Sequence, residues 1–240
     1  MTAGRISAVT PDATAGKANY GMRILCKLKA VTCDVWILLL LIAVFNLHLL
    51  GVPVKSIQVF YPSAVAAGEW WRLVTHPFVH VSWYHLMLDA GAFFLLYAGL
   101  RESRIYQRLL ALVPCAGLSL LAAVCFVKDI DSVGLCGLSG TAHGLMALTG
   151  LEMMQMKKSH LVPGILSFLA VTLKSIVEFI DGQVLFDFMH MGQCGTPLAA
   201  CHLGGVVGGI CAFILLNLNP GADRSEPGDS IPGQVHPRVP

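Results

Sequence analysis

Ser139 and His202 are the residues whose types and settings most favour chemistry. Ser139 lies in a glycine-rich stretch, from Gly134 to Gly144, that opens an apolar segment reaching Met153. A serine hydroxyl becomes a nucleophile when a base about 3 Å away takes its proton, and histidine is the usual base. Polar residues in an apolar span are costly, so they are candidates for function. The structural alternatives are a hydroxyl bonded to its own turn and a histidine bonded to a neighbouring helix.

Two pairs of glycines, each four residues apart, lie beside this serine and this histidine. Gly140 and Gly144 follow the serine, and Gly205 and Gly209 follow the histidine. Small residues at this spacing clear one helix face of side chains and let two backbones pack closely. We therefore expect the two helices to pack together and to bring the hydroxyl to the imidazole. Because the serine begins its helix, backbone N–H groups there are open to an oxyanion.

Further polar residues offer support for this pair or a rival site. His85 and Asp89 are four residues apart on one helix face, where they can hold an oxyanion or line a hydrated interface. Lys174 and Glu178 have the same spacing and favour an ion pair with a structural or gating role. A metal site is the rival, because several histidines are predicted toward one side: His76, His80, His85, His143, His190 and His202. No HExxH pair occurs, and we predict neither a metal nor another cofactor.

Composition places the chain in a bilayer. Of its 240 residues 55% are hydrophobic and 12% are charged, whereas a soluble domain has about 25% charged residues. Apolar runs predict six spans, at about 35–52, 80–100, 105–127, from 139, 161–180 and 198–216. We predict an all-α polytopic membrane protein, with one domain at 35–217 and disordered tails at 1–34 and 218–240. No basic tract indicates a nucleic-acid partner.

The distribution of lysines and arginines predicts the orientation. They concentrate in both tails and in the turns at 101–108 and 157–158, which the positive-inside rule places in the cytoplasm. Ser139 and His202 then share the extracytoplasmic end of their spans. The eight cysteines contain no CxxC pair, and buried thiols behave as small hydrophobes. Cys136 and Cys194 fall on one side, where a disulfide is an option.

Residues 35–217 resemble the rhomboid intramembrane serine proteases. The motifs are Trp71-Arg72, His80-x4-His85-x3-Asp89, Gly137-x-Ser139-Gly140 and His202-x2-Gly205-x3-Gly209. The resemblance implies a six-helix bundle in which Ser139 is the nucleophile and His202 the general base, a dyad without a carboxylate. It also implies an oxyanion hole formed by His85 and the backbone N–H groups of Leu138 and Ser139. His80 would anchor a hydrogen-bond network of the first loop, and Arg72 would brace that loop.

Two positions depart from the family pattern. Asp89 stands where the family usually has asparagine, and a carboxylate cannot donate to an oxyanion unless it is protonated, so it can instead orient His85. His143 stands where a tyrosine commonly stacks on the catalytic histidine. The run from Gly137 to Gly144, together with Lys174-x3-Glu178, is most similar to the rhombosortase branch. Members of that branch are bacterial and process proteins with a carboxy-terminal GlyGly-CTERM anchor, which implies the bacterial inner membrane.

These patterns lead to three hypotheses about function. The first is a serine endopeptidase that cuts transmembrane anchor segments near the extracytoplasmic face, after local unwinding exposes the peptide bond. Its partners would be transmembrane substrates and the bilayer, and the first loop and fifth span are candidate gates. The second is an inactive relative that binds membrane helices, which Asp89 favours. The third is a small channel or metal transporter that uses the histidine cluster.

Overall fold

The computed structural model describes residues 32–51, 58–102, 104–185, 188 and 191–218. The predicted tails lie outside these residues except at 32–34 and 218, and His190 also lies outside them. The described residues form nine α-helices: α1 (Cys33–Phe45), α2 (Pro62–Ala66), α3 (Arg72–Thr75), α4 (Trp83–Ala98), α5 (Ile105–Phe126), α6 (Ile130–Val133), α7 (Ser139–Met154), α8 (Lys158–Asp181) and α9 (Ala199–Asn217). Short 3-10 helices occupy Leu47–Leu50 and His76–Phe78. The all-α prediction is confirmed for this part of the chain.

Three of these helices are long and apolar enough to cross a membrane. Helices α5, α8 and α9 contain 22, 24 and 19 residues, with mean hydropathies of 2.4, 1.7 and 2.1. Helix α1 is apolar but has only 13 residues, and α4 and α7 have 16 each. A span of the hydrocarbon core takes about 20 residues. Among the described residues, length and composition therefore support an integral membrane protein with three candidate spans.

Helix α1 differs from the first predicted span at both ends. It begins at Cys33 and ends at Phe45, whereas the prediction extended to residue 52. The side-chain amide of Asn46 ends the helix, because it donates to the carbonyls of Ile42, at 2.7 Å, and Phe78, at 2.6 Å. This tertiary contact, rather than a loss of hydrophobicity, terminates the helix. An apolar run alone therefore predicted the helix too long.

Asp34, predicted in the amino-terminal tail, is instead buried within α1. Its carboxylate accepts a hydrogen bond from the Tyr97 hydroxyl at 2.6 Å and lies 3.4 Å from the guanidinium of Arg108. These contacts tie α1 to α4 and α5 at the ends of those helices away from Ser139. Helix α1 therefore begins two residues before the predicted boundary at residue 35.

Helix α9 lies at the centre of the bundle, against α5, α7 and α8. Of its most apolar window 61% is buried, compared with 22% for α5 and 17% for α8. A side chain at Gly205 would overlap the carbonyl of Gly140, and one at Gly209 would overlap the carbonyl of Gly144. Backbone therefore meets backbone where α9 crosses α7. The two glycine pairs predicted to pack together face each other in the structure.

Helix α9 makes a second close contact, with α5. A side chain at Gly204 would overlap the carbonyl of Leu118, and one at Gly208 would overlap the carbonyl of Pro114. The four glycines of the run at 204–209 thus serve two neighbouring helices. The result is a fixed lateral position for the first turn of α9, where His202 lies.

Candidate functional site

Ser139 and His202 line one cavity of about 310 Å³. The cavity lies where α7 and α9 begin, and α4 and α8 also contribute to its walls. Ser139 is the first residue of α7, and His202 is in the first turn of α9. No hydrogen bond joins the Ser139 hydroxyl to the His202 ring among the bonds of the described residues. The two predicted groups thus line one cavity without a hydrogen bond between them in this structure.

A glycine turn delivers the chain to Ser139. Gly137 has φ of +101°, in the left-handed region that favours glycine. A Cβ at Gly137 would lie 2.8 Å from Asp89 Oδ2 and 2.9 Å from His85 Nε2. The Gly137 N–H donates to the carbonyl of His76 at 3.1 Å. Both the backbone conformation and the close approach of α4 therefore require glycine two residues before the serine.

The amide groups at the start of α7 hold the carboxylate of Asp89. The N–H of Leu138 donates to Asp89 Oδ2 at 2.8 Å, and the N–H of Ser139 donates to the same oxygen at 3.0 Å. Ring nitrogens of His85 and His80 lie 3.2 and 3.5 Å from that oxygen. The groups predicted to line an oxyanion hole do converge on one point. In this structure the chain's own carboxylate occupies that point.

His80 and His85 are held by the end of α1 and the start of α4. The backbone N–H of His80 donates to Asn46 Oδ1 at 2.9 Å, and its ring Nδ1 lies 3.3 Å from the same atom. The Ser82 hydroxyl caps α4 by accepting from the His85 N–H at 3.0 Å. The two imidazole rings meet edge to face, with centroids 5.0 Å apart. These contacts fix both rings against Asp89.

His143 stacks on His202, at the position where the resemblance leads one to expect a tyrosine. The ring centroids are 4.0 Å apart and the planes differ by 8°. His143 Nδ1 lies 2.7 Å from the carbonyl oxygen of Ser139. A carbonyl only accepts, so this nitrogen carries the proton and Nε2 has the lone pair. Lys174 Nζ lies 3.0 Å from that Nε2, which therefore accepts from the ammonium.

Glu178 contacts His202 directly, which the sequence reasoning missed. Glu178 Oε2 lies 2.6 Å from His202 Nδ1. The other carboxylate oxygen accepts from Lys174 Nζ at 2.6 Å and from the Leu185 N–H at 2.8 Å. The side chain of Glu178 is 0% exposed. An acidic residue in an apolar helix was the available signal, because burying such a group is costly without partners.

Most of the histidines predicted toward one side do not come together as a metal site in the described residues. The one group with suitable spacing is His143, Glu178 and His202, whose donor atoms lie within 4.8 Å of one another. The Lys174 ammonium already bonds to His143 Nε2 at 3.0 Å and to Glu178 Oε1 at 2.6 Å, and it would repel a second cation. His76 does not line the cavity, and burial lowers the pKa of its ring to about 4.

Arg72 connects the loop before α3 to the segment that precedes Ser139. Its guanidinium donates to the carbonyl of Val59 and to Glu69, and it lies 5.7 Å from the centre of the Tyr61 ring. Phe60, which lies between Val59 and Tyr61 in the sequence, exchanges two backbone hydrogen bonds of 2.9 Å with Leu135. Arg72 thus supports a loop that pairs with the chain four residues before the serine.

Cys136 and Cys194, for which the sequence left a disulfide open, both line the cavity. No disulfide joins them in the structure.

Comparison with known proteins shows which family this chain resembles. The family model described as "Rhomboid domain" matches residues 67–218. A protein of Bacillus subtilis (strain 168), named "Putative rhomboid protease YdcA", is 26% identical over 141 residues, which cover 56% of this chain and 68% of that protein. The range matched by the family model contains every residue assigned to the cavity above, whereas α1 lies outside it.

The turn before Ser139 gives a prediction with a matched control. Gly137→Ala places a methyl group against Asp89 and His85 and should abolish labelling of Ser139 by a fluorophosphonate. Gly68→Ala is the control, because Gly68 has φ of +105° but nothing within 4 Å of its Cβ position. Each substitution costs about 1 kcal/mol in backbone strain. Equal loss of labelling in the two variants would show that strain, rather than contact with the cavity, is responsible.

Proposed function

The chain belongs to the rhomboid family of intramembrane serine proteases, and from that premise we propose that it is an endopeptidase with Ser139 as nucleophile and His202 as general base. The observation that carries the proposal is the shared cavity at the first turns of α7 and α9. There the hydroxyl lies beside an imidazole whose Nδ1 is bonded to Glu178. The same cavity contains the amide groups at the start of a helix, which suit a developing negative charge.

The geometry supports a two-step acyl transfer. His202 Nε2 takes the proton of the Ser139 hydroxyl as the oxygen attacks the peptide carbonyl. The imidazolium then gives that proton to the leaving amine, and the peptide C–N bond breaks to leave an acyl-enzyme. Water, deprotonated by the same nitrogen, hydrolyses the ester and restores Ser139. The apo geometry, in which hydroxyl and ring are not yet bonded, is usual before substrate binds.

The oxyanion of this reaction needs the N–H groups of Leu138 and Ser139, which Asp89 occupies at rest. We propose that the substrate carbonyl displaces the Asp89 carboxylate as the tetrahedral intermediate forms. His85, 3.2 Å from that carboxylate, is placed to remain beside the new oxyanion. His80 and Arg72 act at a distance, by holding α4 and the first loop in place.

The proposed substrate is the transmembrane anchor of a membrane protein. A membrane helix hides its peptide bonds in internal hydrogen bonds, so the anchor must unwind before it reaches the serine. Paired glycines lower the cost of unwinding because glycine is a weak helix former. A GlyGly-CTERM anchor therefore fits the proposed reaction. His143 stacked on His202, with Lys174 and Glu178 beside them, supports the rhombosortase-like assignment.

The proposed topology has six spans, in which α1, α4 and α7 join the three longer helices. The positive-inside rule then places both termini in the cytoplasm and the cavity at the outer face of a bacterial inner membrane. Helices shorter than the hydrocarbon core are compatible with this arrangement, because local thinning of the bilayer accommodates them. In this proposal the membrane domain extends from Cys33 to Asn217, and the predicted tails flank it.

One observation favours a second candidate, an inactive relative that binds transmembrane helices. The carboxylate of Asp89 satisfies both N–H groups that an oxyanion would need. If it never leaves, the cavity can bind an unwound helix without cutting it. The two candidates share the fold and the membrane partner, and they differ only in covalent chemistry at Ser139.

The first test is labelling and cleavage in detergent or liposomes. We expect a fluorophosphonate to label the wild type, and Ser139→Ala and His202→Ala to lose both labelling and cleavage of a GlyGly-anchored substrate. The loss of cleavage should be about 10⁴-fold or more, because the members of such a unit act together. Ser132→Ala is the control, because Ser132 lies in α6 outside the cavity lining. A folded wild type that resists labelling, yet retains the anchor peptide, would favour the binding protein.

The second test concerns Asp89. Asp89→Asn removes the charge that occupies the helix amides and supplies an N–H donor to the oxyanion, so cleavage should increase roughly 10-fold or more. Asp89→Ala separates the effects, because it removes the carboxylate without adding a donor. The turnover rates of the two variants are measured at saturating substrate. Loss of activity in Asp89→Asn to the level of Ser139→Ala would contradict the displacement step.

A further inference from the structure

We propose that Glu178 is the positioning residue for His202, so that this protease uses a Ser139–His202–Glu178 triad. Lys174 limits how strongly the Glu178 carboxylate stabilises the His202 imidazolium. The inference rests on the proposed function and deepens it. The family resemblance implies a dyad of serine and histidine, with no carboxylate behind the ring. The observation that departs from it is the bond of 2.6 Å between Glu178 Oε2 and His202 Nδ1.

This bond determines the tautomer of His202. An ionised carboxylate can only accept, so Nδ1 carries the proton and Nε2 has the lone pair. A general base toward Ser139 needs that tautomer. With the side chain of His202 7% exposed and that of Glu178 0% exposed, little water competes for the bond, which strengthens a charge-assisted hydrogen bond. The ring is also prevented from turning by the stacked ring of His143.

The two carboxylate oxygens of Glu178 have different hydrogen-bond partners. Oε2 accepts from His202, whereas Oε1 accepts from Lys174 Nζ at 2.6 Å and from the Leu185 N–H at 2.8 Å. The Leu185 amide lies just beyond the end of α8 and fixes the carboxylate from that side. Glu178 is therefore ordered even before the ring becomes charged. A residue that only neutralised Lys174 would not need an oxygen on His202.

The two charges on α8 act on His202 with opposite sign. As the ring takes the serine proton it becomes an imidazolium, which the adjacent carboxylate stabilises and the nearby ammonium destabilises. Lys174 thus limits the basicity that Glu178 gives to the ring. Because the pair lies on one helix at i and i+4, the two charges are held close to each other, with Lys174 Nζ 2.6 Å from Glu178 Oε1.

Other titratable groups face His202 across the cavity. His143 of α7 is stacked on the ring, and its own nitrogens are engaged by Ser139 and Lys174. Helix α4 contributes His85 and Asp89, and the segments before α7 and α9 contribute the thiols of Cys136 and Cys194. Helix α5 places no residue in the cavity lining. Within the described part of the chain, Glu178 is the hydrogen-bond partner of the His202 ring.

The test is the pH profile of kcat/KM for the full-length protein in liposomes, with a GlyGly-anchored substrate. Protonation of the base defines the acidic limb of that profile. In Glu178→Gln the imidazolium is less stable, so the limb should move to lower pH by about one unit or more. We expect kcat to fall about 100-fold with KM nearly unchanged. Glu178→Asp keeps the charge and should retain the wild-type limb.

Lys174→Met should move the acidic limb the other way, to higher pH, because the imidazolium loses a repulsive neighbour. Lys158→Met is the matched control, because Lys158 is an exposed lysine at the first position of the same helix, 16 residues and roughly 24 Å away. It should leave the limb in place. Opposite shifts in the two test variants are a result that a purely structural ion pair would not produce.

The proposal is overturned if the limbs of both test variants coincide with the wild type, or if both move in one direction. If Glu178→Gln fails to fold, Lys174→Met decides: a shift to higher pH supports the triad, and no shift overturns it. A wild type without cleavage contradicts the proposed function instead. The ¹⁵N signals of the His202 ring then test the triad, which requires Nδ1–H as the main neutral tautomer; Nε2–H would overturn it.

Discussion

The close approach of α7 and α9 is the constraint on which the rest of the structure depends. Ser139 and His202 lie at the starts of these two helices, and both line one cavity. Glycines at 140, 144, 205 and 209 remove those side chains where the helices cross, so that carbonyl groups of α7 lie against Cα atoms of α9. Gly204 and Gly208 repeat the arrangement toward α5. In a bilayer, where apolar burial does not drive helices together, such packing supplies the association.

Two carboxylates flank the serine, and their environments give them different roles. Asp89 lies on the amide side, where helix N–H groups and two imidazoles surround one oxygen. Glu178 lies on the ring side, where it bonds His202 and an ammonium. In the proposed mechanism, the first carboxylate occupies the place where the oxyanion develops, and the second stabilises the charge that forms on His202. Buried charges are tolerated in each case because several donors compensate for lost water.

Features carried by local pattern were accessible from the sequence. The spacing of the glycines predicted which helices meet, and the hydrophobic runs predicted where two of the helices begin, at Ser139 and Ile105. The carboxy-terminal end of α1 was not predictable in this way, because Asn46 ends that helix through a contact 32 residues away. The role of Glu178 was missed for a similar reason. Its i,i+4 spacing from Lys174 explained it locally, whereas its bond to a residue 24 positions away depends on how α8 and α9 pack.

The most direct test of the proposed mechanism is a crystal structure of the protein after reaction with a fluorophosphonate. The account predicts a covalent bond from phosphorus to the Ser139 oxygen, with a phosphoryl oxygen on the N–H groups of Leu138 and Ser139. Asp89 should have left those groups, and His202 should remain bonded to Glu178 through Nδ1. Attachment at any other residue, or an adduct in which His202 lies beyond hydrogen-bond distance of the modified serine, would contradict it.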